Sequence, residues 1–332
     1  MSPHRLLRRV AVAATFATVL LIAVGALVRA TGSGEGCPGW PRCFGRWVPP
    51  FTYHPGVSRT NALIEYSHRF TASLVFILVA GLAVVAWWRY RRVRRVMVPA
   101  TAALAVWLFQ AVLGGLVVKF GLTPALVTAH LAVANVLLAL LAYASVAAFS
   151  AGVVPAGGFD ATTRWAWAGA GAVLGLIVVG ALVRGEGAGL AFPDWPLMGG
   201  RVVPHLEGLR PALMFTHRVL AVAVAAVVAI VAVRTWLVRR TRRPAATLAL
   251  CAAGLFGAQV LIGAANVWSR LAVAPVVAHV AVSSLILACL VACAAASRAC
   301  WTVHERAPVR TDRRETSSLQ PPVADHEGAV RR

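Results

Sequence analysis

The 332-residue chain is 59% hydrophobic and only 13% charged, with a mean hydropathy of +0.76, values that a water-soluble domain of this size does not reach. Its net charge of +21 would fit a nucleic-acid binder if the basic residues shared one soluble face. They fall instead between long apolar runs, which excludes that class and makes membrane topology the account of the charge.

A hydrocarbon core about 30 Å thick takes roughly 20 apolar residues per helix. Runs of that kind predict eight spans, at 9–29, 62–88, 96–118, 124–149, 163–183, 211–238, 244–267 and 272–298. The first follows a basic start, as a signal peptide does, but its length fits a retained span. With the N-terminus inside, 21 of the 32 Lys and Arg residues face the cytoplasm, as the positive-inside rule expects. The prediction is a multi-pass cell-membrane protein with both termini cytoplasmic and no nucleic-acid partner. Residues 299–332, rich in Arg, Pro, Ser and Glu, are expected to form a disordered cytoplasmic tail.

Taken in chain order, the spans repeat. The first leads through Val24-Gly25-Ala26-Leu27-Val28-Arg29 into a loop holding Pro38-Gly39-Trp40-Pro41, and the fifth through Val179-Gly180-Ala181-Leu182-Val183-Arg184 into Pro193-Asp194-Trp195-Pro196. Beyond the loops, His68-Arg69 matches His217-Arg218, Gln110 matches Gln259, Gly114 matches Gly263 and His130 matches His279. Each repeat holds an even number of spans, so both halves point the same way about an axis along the membrane normal. The expected fold is all-α integral membrane: eight transmembrane helices as two tandem four-helix bundles, 1–150 and 163–298, with a parallel pseudo-twofold repeat. Transporters also use parallel repeats, so the repeat alone leaves function open.

Nine histidines occur, and His4, His54, His205, His304 and His326 fall in loops or tails. His68, His130, His217 and His279 lie inside the second, fourth, sixth and eighth spans, all about 10 Å below the outer surface at 1.5 Å per residue. Equal depth on two helices running the same way is what the axial ligands of a haem iron require, which predicts one bis-histidine haem per half. The plainer reading, four unrelated polar contacts, is weakened by the rarity of ionisable groups in spans. Zinc wants four ligands where each half offers two histidines. A proton relay stays open, although it does not require facing pairs.

Gln110 and Gln259 reach histidine depth, where they would hydrogen-bond a haem edge, an axial histidine or simply another helix. Gly114-Gly115 and Gly263 allow a flat ligand or a helix to come close. Arg29, Arg69, Arg184 and Arg218 stand at the outer helix ends, either as forks for haem propionates or as snorkelling anchors. Glu65 precedes His68 by three residues where Met214 precedes His217, and it is the single acidic residue in any predicted span. It is either the partner of a nearby Arg or a participant in chemistry; participation is the favoured reading and puts the chemistry in the first half. Cys37 and Cys43 share the first outer loop on the oxidising side, which predicts a disulfide, as a staple or a redox relay. Cys251, Cys289 and Cys293 read as small apolar residues.

These residues together resemble the haem A synthase family in its bacterial eight-helix form, over about residues 10–298. The resemblance rests on Arg29 to Gly34, the Cys37–Cys43 loop, Glu65-Tyr66-Ser67-His68-Arg69, and the groups Gln110/His130 and Gln259/His279. It implies an oxidoreductase that converts the C8 methyl of haem O to a formyl group, making haem A for aa3-type cytochrome c oxidase. It further implies that His217 and His279 hold a resident haem b, that His68 and His130 bind the substrate haem, and that Glu65 acts beside the substrate. Haem O synthase and a redox donor or acceptor are the implied partners. Two rivals stand beside this reading: a di-haem electron carrier between quinol and another carrier, and a parallel-repeat transporter.

Overall fold

A computed structural model describes residues 3–48, 56–150 and 159–298. Eight helices follow one another: α1 (Pro3–Ala30), α2 (Arg59–Tyr90), α3 (Arg94–Lys119), α4 (Pro124–Phe149), α5 (Ala161–Gly185), α6 (Leu209–Leu237), α7 (Arg243–Trp268) and α8 (Val273–Ser297). All eight are long and apolar enough to cross a membrane, and the protein is a multi-pass membrane protein. The expected tail, with Cys300, His304 and His326, and loop residue His54 lie outside the described residues.

Several helices run past the predicted spans; α1 begins at Pro3 rather than residue 9. Hydropathy registers only the apolar stretch, whereas a backbone leaving the bilayer still satisfies its own hydrogen bonds by staying helical. Arginine stems can cover the extra turn while their heads stay wet.

Helix α1 packs on α2 and α4, α2 on α3, and α3 on α4; α5 packs on α6 and α8, α6 on α7, and α7 on α8. Contacts between these groups run through α1 with α8, α4 with α8, and α4 with α5. One apolar core gathers Leu7, Ala11, Val79, Leu82, Ala100, Ala103 and Leu141 from α1 to α4. A second gathers Ala166, Ala170, Val228, Ala249, Ala252 and Leu290 from α5 to α8, with Ala142 of α4. Alanine is frequent in both because helix association in lipid depends on close backbone approach rather than on expelling water. A third, smaller core joins Val183 of α5 and Met214 of α6 to Ala188, Phe192 and Met198 of the loop between them, so close packing continues at the histidine end of the second half.

The arginine-rich end carries its own fastenings. Arg8 donates to the carbonyls of Ala148 (3.4 Å) and Phe149 (3.2 Å), and Arg95 to that of Ser150 (2.5 Å), so two cations meet the negative end of α4. Asp160 caps α5 by accepting from the Thr163 amide at 2.9 Å, and pairs with Arg242 of the α6–α7 turn at 2.6 Å. Partial burial pushes the Asp160 carboxyl up, but the Thr163 and Arg242 contacts outweigh it and hold the group below the usual carboxylate range.

Candidate functional site

Each of the four intramembrane histidines lies on a glycine of the preceding helix. A Cβ on Gly25 of α1 would stand 3.1 Å from Cε1 of His68 on α2, and one on Gly114 of α3 would stand 3.0 Å from Cε1 of His130 on α4. The second half repeats this, with Gly180 of α5 at 3.0 Å from His217 on α6 and Gly263 of α7 at 3.2 Å from His279 on α8. Any side chain at these positions would occupy the space of the ring, so glycine is what lets the imidazole lie flat on the neighbouring backbone.

In all four rings Nδ1 is buried without a well-formed hydrogen bond, and the Leu21 carbonyl of α1 lies within reach of the His68 ring. Nε2 is not sealed in this way and each residue is only partly buried, so the second nitrogen borders unfilled space. His130 lies within electrostatic reach of His68, and His279 within reach of His217. The histidines thus fall into two pairs, each made by alternate helices of one half. Gln110 Nε2 donates to the backbone carbonyl of His130 at 2.8 Å, and Gln259 Nε2 to that of His279 at 2.8 Å. The amide nitrogens therefore serve helix-to-helix bonds, but at the very residue whose height matters, and each Oε1 stays buried without a partner.

Glu65 is 3% exposed and anchors the first loop. Its Oε2 accepts from the Cys37 amide at 2.7 Å, and its Oε1 from Arg69 at 2.5 Å. Arg69 also donates to the carbonyls of Cys37 (2.9 Å), Gly39 (2.8 Å) and Arg42 (3.3 Å), so one guanidinium gathers the whole turn. Cys37 and Cys43 are joined in a disulfide across that turn. The second loop is held differently: Arg218 donates to the carbonyls of Leu197 (2.9 Å) and Asp194 (3.1 Å), and the Asp194 carboxylate turns back on the loop amides of Gly199 and Gly200. Those amides hold the Asp194 carboxyl below its usual range.

The four arginines grouped together by sequence therefore separate. Arg69 and Arg218 are engaged with loop carbonyls. Arg29 and Arg184 lie within electrostatic reach of each other, and the Nε of each is buried without a partner.

The first loop also reaches α3. A Cβ on Gly115 would come within 2.9 Å of the Trp40 indole, so the ring rests on the helix one residue from Gly114 and its histidine. The matching place in the second half is Ala264, and Trp195 there meets Trp268 edge-on at 5.7 Å. We expect Gly115→Val to displace Trp40 and speed tryptic cleavage at Arg42 and Arg46, while Gly171→Val, which meets open space, leaves cleavage unchanged. Equal cleavage rates in both variants would contradict the contact.

Gly25 and Gly180 escaped the sequence reading as site residues. Their signal was present, since both belong to the repeated Val-Gly-Ala-Leu-Val-Arg segment, but nothing local says that a histidine of the next span will rest there.

Residues 8–291 match the family described as cytochrome oxidase assembly protein, COX15-CtaA. The chain is 33% identical over 223 residues to the heme A synthase of Halalkalibacterium halodurans, covering 65% of this chain and 72% of that protein. The same figures hold for the heme A synthase of Alkalihalophilus pseudofirmus. With the heme A synthase of Bacillus cereus the identity is 31% over 233 residues, covering 67% of this chain and 70% of the relative. With eight apolar helices, paired histidines and this match over most of its length, the chain belongs to the COX15-CtaA family of cytochrome oxidase assembly proteins.

Proposed function

We propose that this protein is a haem A synthase, an oxidoreductase that oxidises the C8 methyl of haem O to a formyl group for aa3-type cytochrome c oxidase. The observation that carries the reading is the fourfold seat: four imidazoles on four helix glycines, paired within each half, each with Nδ1 enclosed and Nε2 open. A donor set of two neutral imidazoles per half suits a haem iron.

His217 and His279 hold a resident haem b, and His68 and His130 receive the haem O substrate. The bound haem supplies a redox-active iron that takes up and passes on electrons. The protein's own residues do the rest. The glycines orient the rings, and Gln110 and Gln259 hold the ligand-bearing stretches of α4 and α8 at their level. Arg29 and Arg184 offer guanidinium forks to propionates, since two like charges held close with buried, unpartnered Nε atoms are completed by an anion. Glu65, the disulfide and the Trp40 seat all belong to the first half, which supports placing the substrate there. Glu65 both fastens the loop and stands one turn from His68, where a carboxyl group can move a proton or steer the methyl group.

The two halves are 1–150 and 163–298, in the cell membrane, with the arginine-rich end cytoplasmic. A redox donor or acceptor and haem O synthase are the partners this activity calls for. A di-haem electron carrier would use the same histidines but gives Glu65 no task beyond fastening the loop.

Extraction of haem from the purified protein, followed by mass analysis, tests the proposal. Formyl or hydroxylated haem is expected beside haem B; unmodified haem B as the sole species would refute it. His217→Ala and His279→Ala should each abolish the low-spin absorption of the resident haem, and its persistence in both would overturn the ligand assignment.

A further inference from the structure

Helices α3 and α5 both pack on α4 but not on each other. The cleft so left is a cavity of about 500 Å³, walled by Val98 of α3, Tyr143 of α4, Trp167 of α5 and Val291 of α8, with Arg94 and Arg95 at its rim. The Tyr143 and Trp167 rings lie 6.3 Å apart and 30° from parallel, forming one continuous apolar face. Arg95 is steadied by the Ser150 carbonyl, while Arg94 is exposed and has no polar partner among the described residues.

An apolar slot opening beside one fixed and one exposed cation matches a molecule with a hydrocarbon chain and an anionic head. The surrounding solvent supplies that molecule in quantity, because anionic phospholipids enrich the leaflet that faces basic juxtamembrane residues. We propose that this cleft binds one anionic phospholipid, its acyl chain along Tyr143 and Trp167 and its phosphate at Arg94 and Arg95. The matched positions of the second half repeat the chemistry only in part: Arg243 matches Arg94, but Pro244 stands in place of Arg95 and Ala292 in place of Tyr143. The site therefore belongs to one side of the molecule, where the two halves meet. It rests on the positive-inside orientation only for the name of the leaflet.

The test is native mass spectrometry of the full-length protein released from micelles containing equal phosphatidylglycerol and phosphatidylcholine with identical chains. Wild type should retain one phosphatidylglycerol in preference, and Arg94→Gln should lower that preference about fivefold. Phosphatidylglycerol brominated on the acyl chain should quench emission in wild type more than in Trp167→Phe, which places the chain in the cleft without relying on a bulky variant. Equal retention of the two lipids by wild type, an unchanged preference in Arg94→Gln, or quenching indifferent to Trp167 would each overturn the proposal. Haem mass is read on the same ions, so loss of the haem reading and loss of the lipid site are separate results.

Discussion

Replacing Gly180 with leucine is expected to strip haem from the second half while the eight helices still assemble. The His217 ring carbon already stands 3.0 Å from where a Cβ would be, and Nδ1 stands at 3.5 Å. Alanine asks the ring to yield by a few tenths of an ångström, whereas leucine needs the volume the imidazole fills. The ring must turn off its seat, and the Nε2 that faces open space turns with it. Disturbing what orients a ligand commonly costs about 10- to 100-fold in affinity, so haem per polypeptide, read from reduced-minus-oxidised absorption, should fall close to the value of His217→Ala. Gly171→Leu, on the same helix but meeting open space, should keep full haem. Near-normal haem content in Gly180→Leu would show that the glycine seat does not position the ligand.

The second large effect is expected at Glu65. Alanine there removes the acceptor of the Cys37 amide and the counter-ion of Arg69 at a site that is 3% exposed. Breaking a fully buried ion pair costs about 3–5 kcal/mol; Arg69 keeps its bonds to the Cys37, Gly39 and Arg42 carbonyls and is partly exposed, so the loss here should fall below that range. Part of that loss should appear locally, as faster proteolysis of the loop around Cys37 and Cys43, and part as a lower midpoint of thermal unfolding. Glu65→Gln keeps an oxygen for the Cys37 amide and should retain most of the stability. Activity separates the two roles of this residue. If the carboxylate also serves the reaction, Glu65→Gln stops formyl haem production with the loop intact and the resident haem in place. Full activity in that variant would reduce Glu65 to a loop anchor.

The favoured expectation that Glu65 is a chemical participant and its alternative, an Arg partner, were both drawn from its isolation in an apolar span. The structure establishes the partnership with Arg69 and adds what the sequence did not indicate, the bond to the Cys37 amide. The arginines show the same limit. Their repeated positions at helix ends were plain, but Arg69 and Arg218 turn to loop carbonyls while Arg29 and Arg184 approach each other, and only the path of the loops distinguishes these fates.

Sequence alone was enough for the eight apolar helices, the repeated segments and the placing of four histidines within those helices. Each of these depends on quantities that run along the chain: apolar length against bilayer thickness, and position counted from a helix end. Tertiary structure decided which way each helix is rotated about its axis, and with it the glycine under each imidazole and the seat of Trp40 on Gly115. Hydropathy is nearly uniform around a helix immersed in lipid, so it cannot encode that rotation; close packing of small residues against a particular neighbour does.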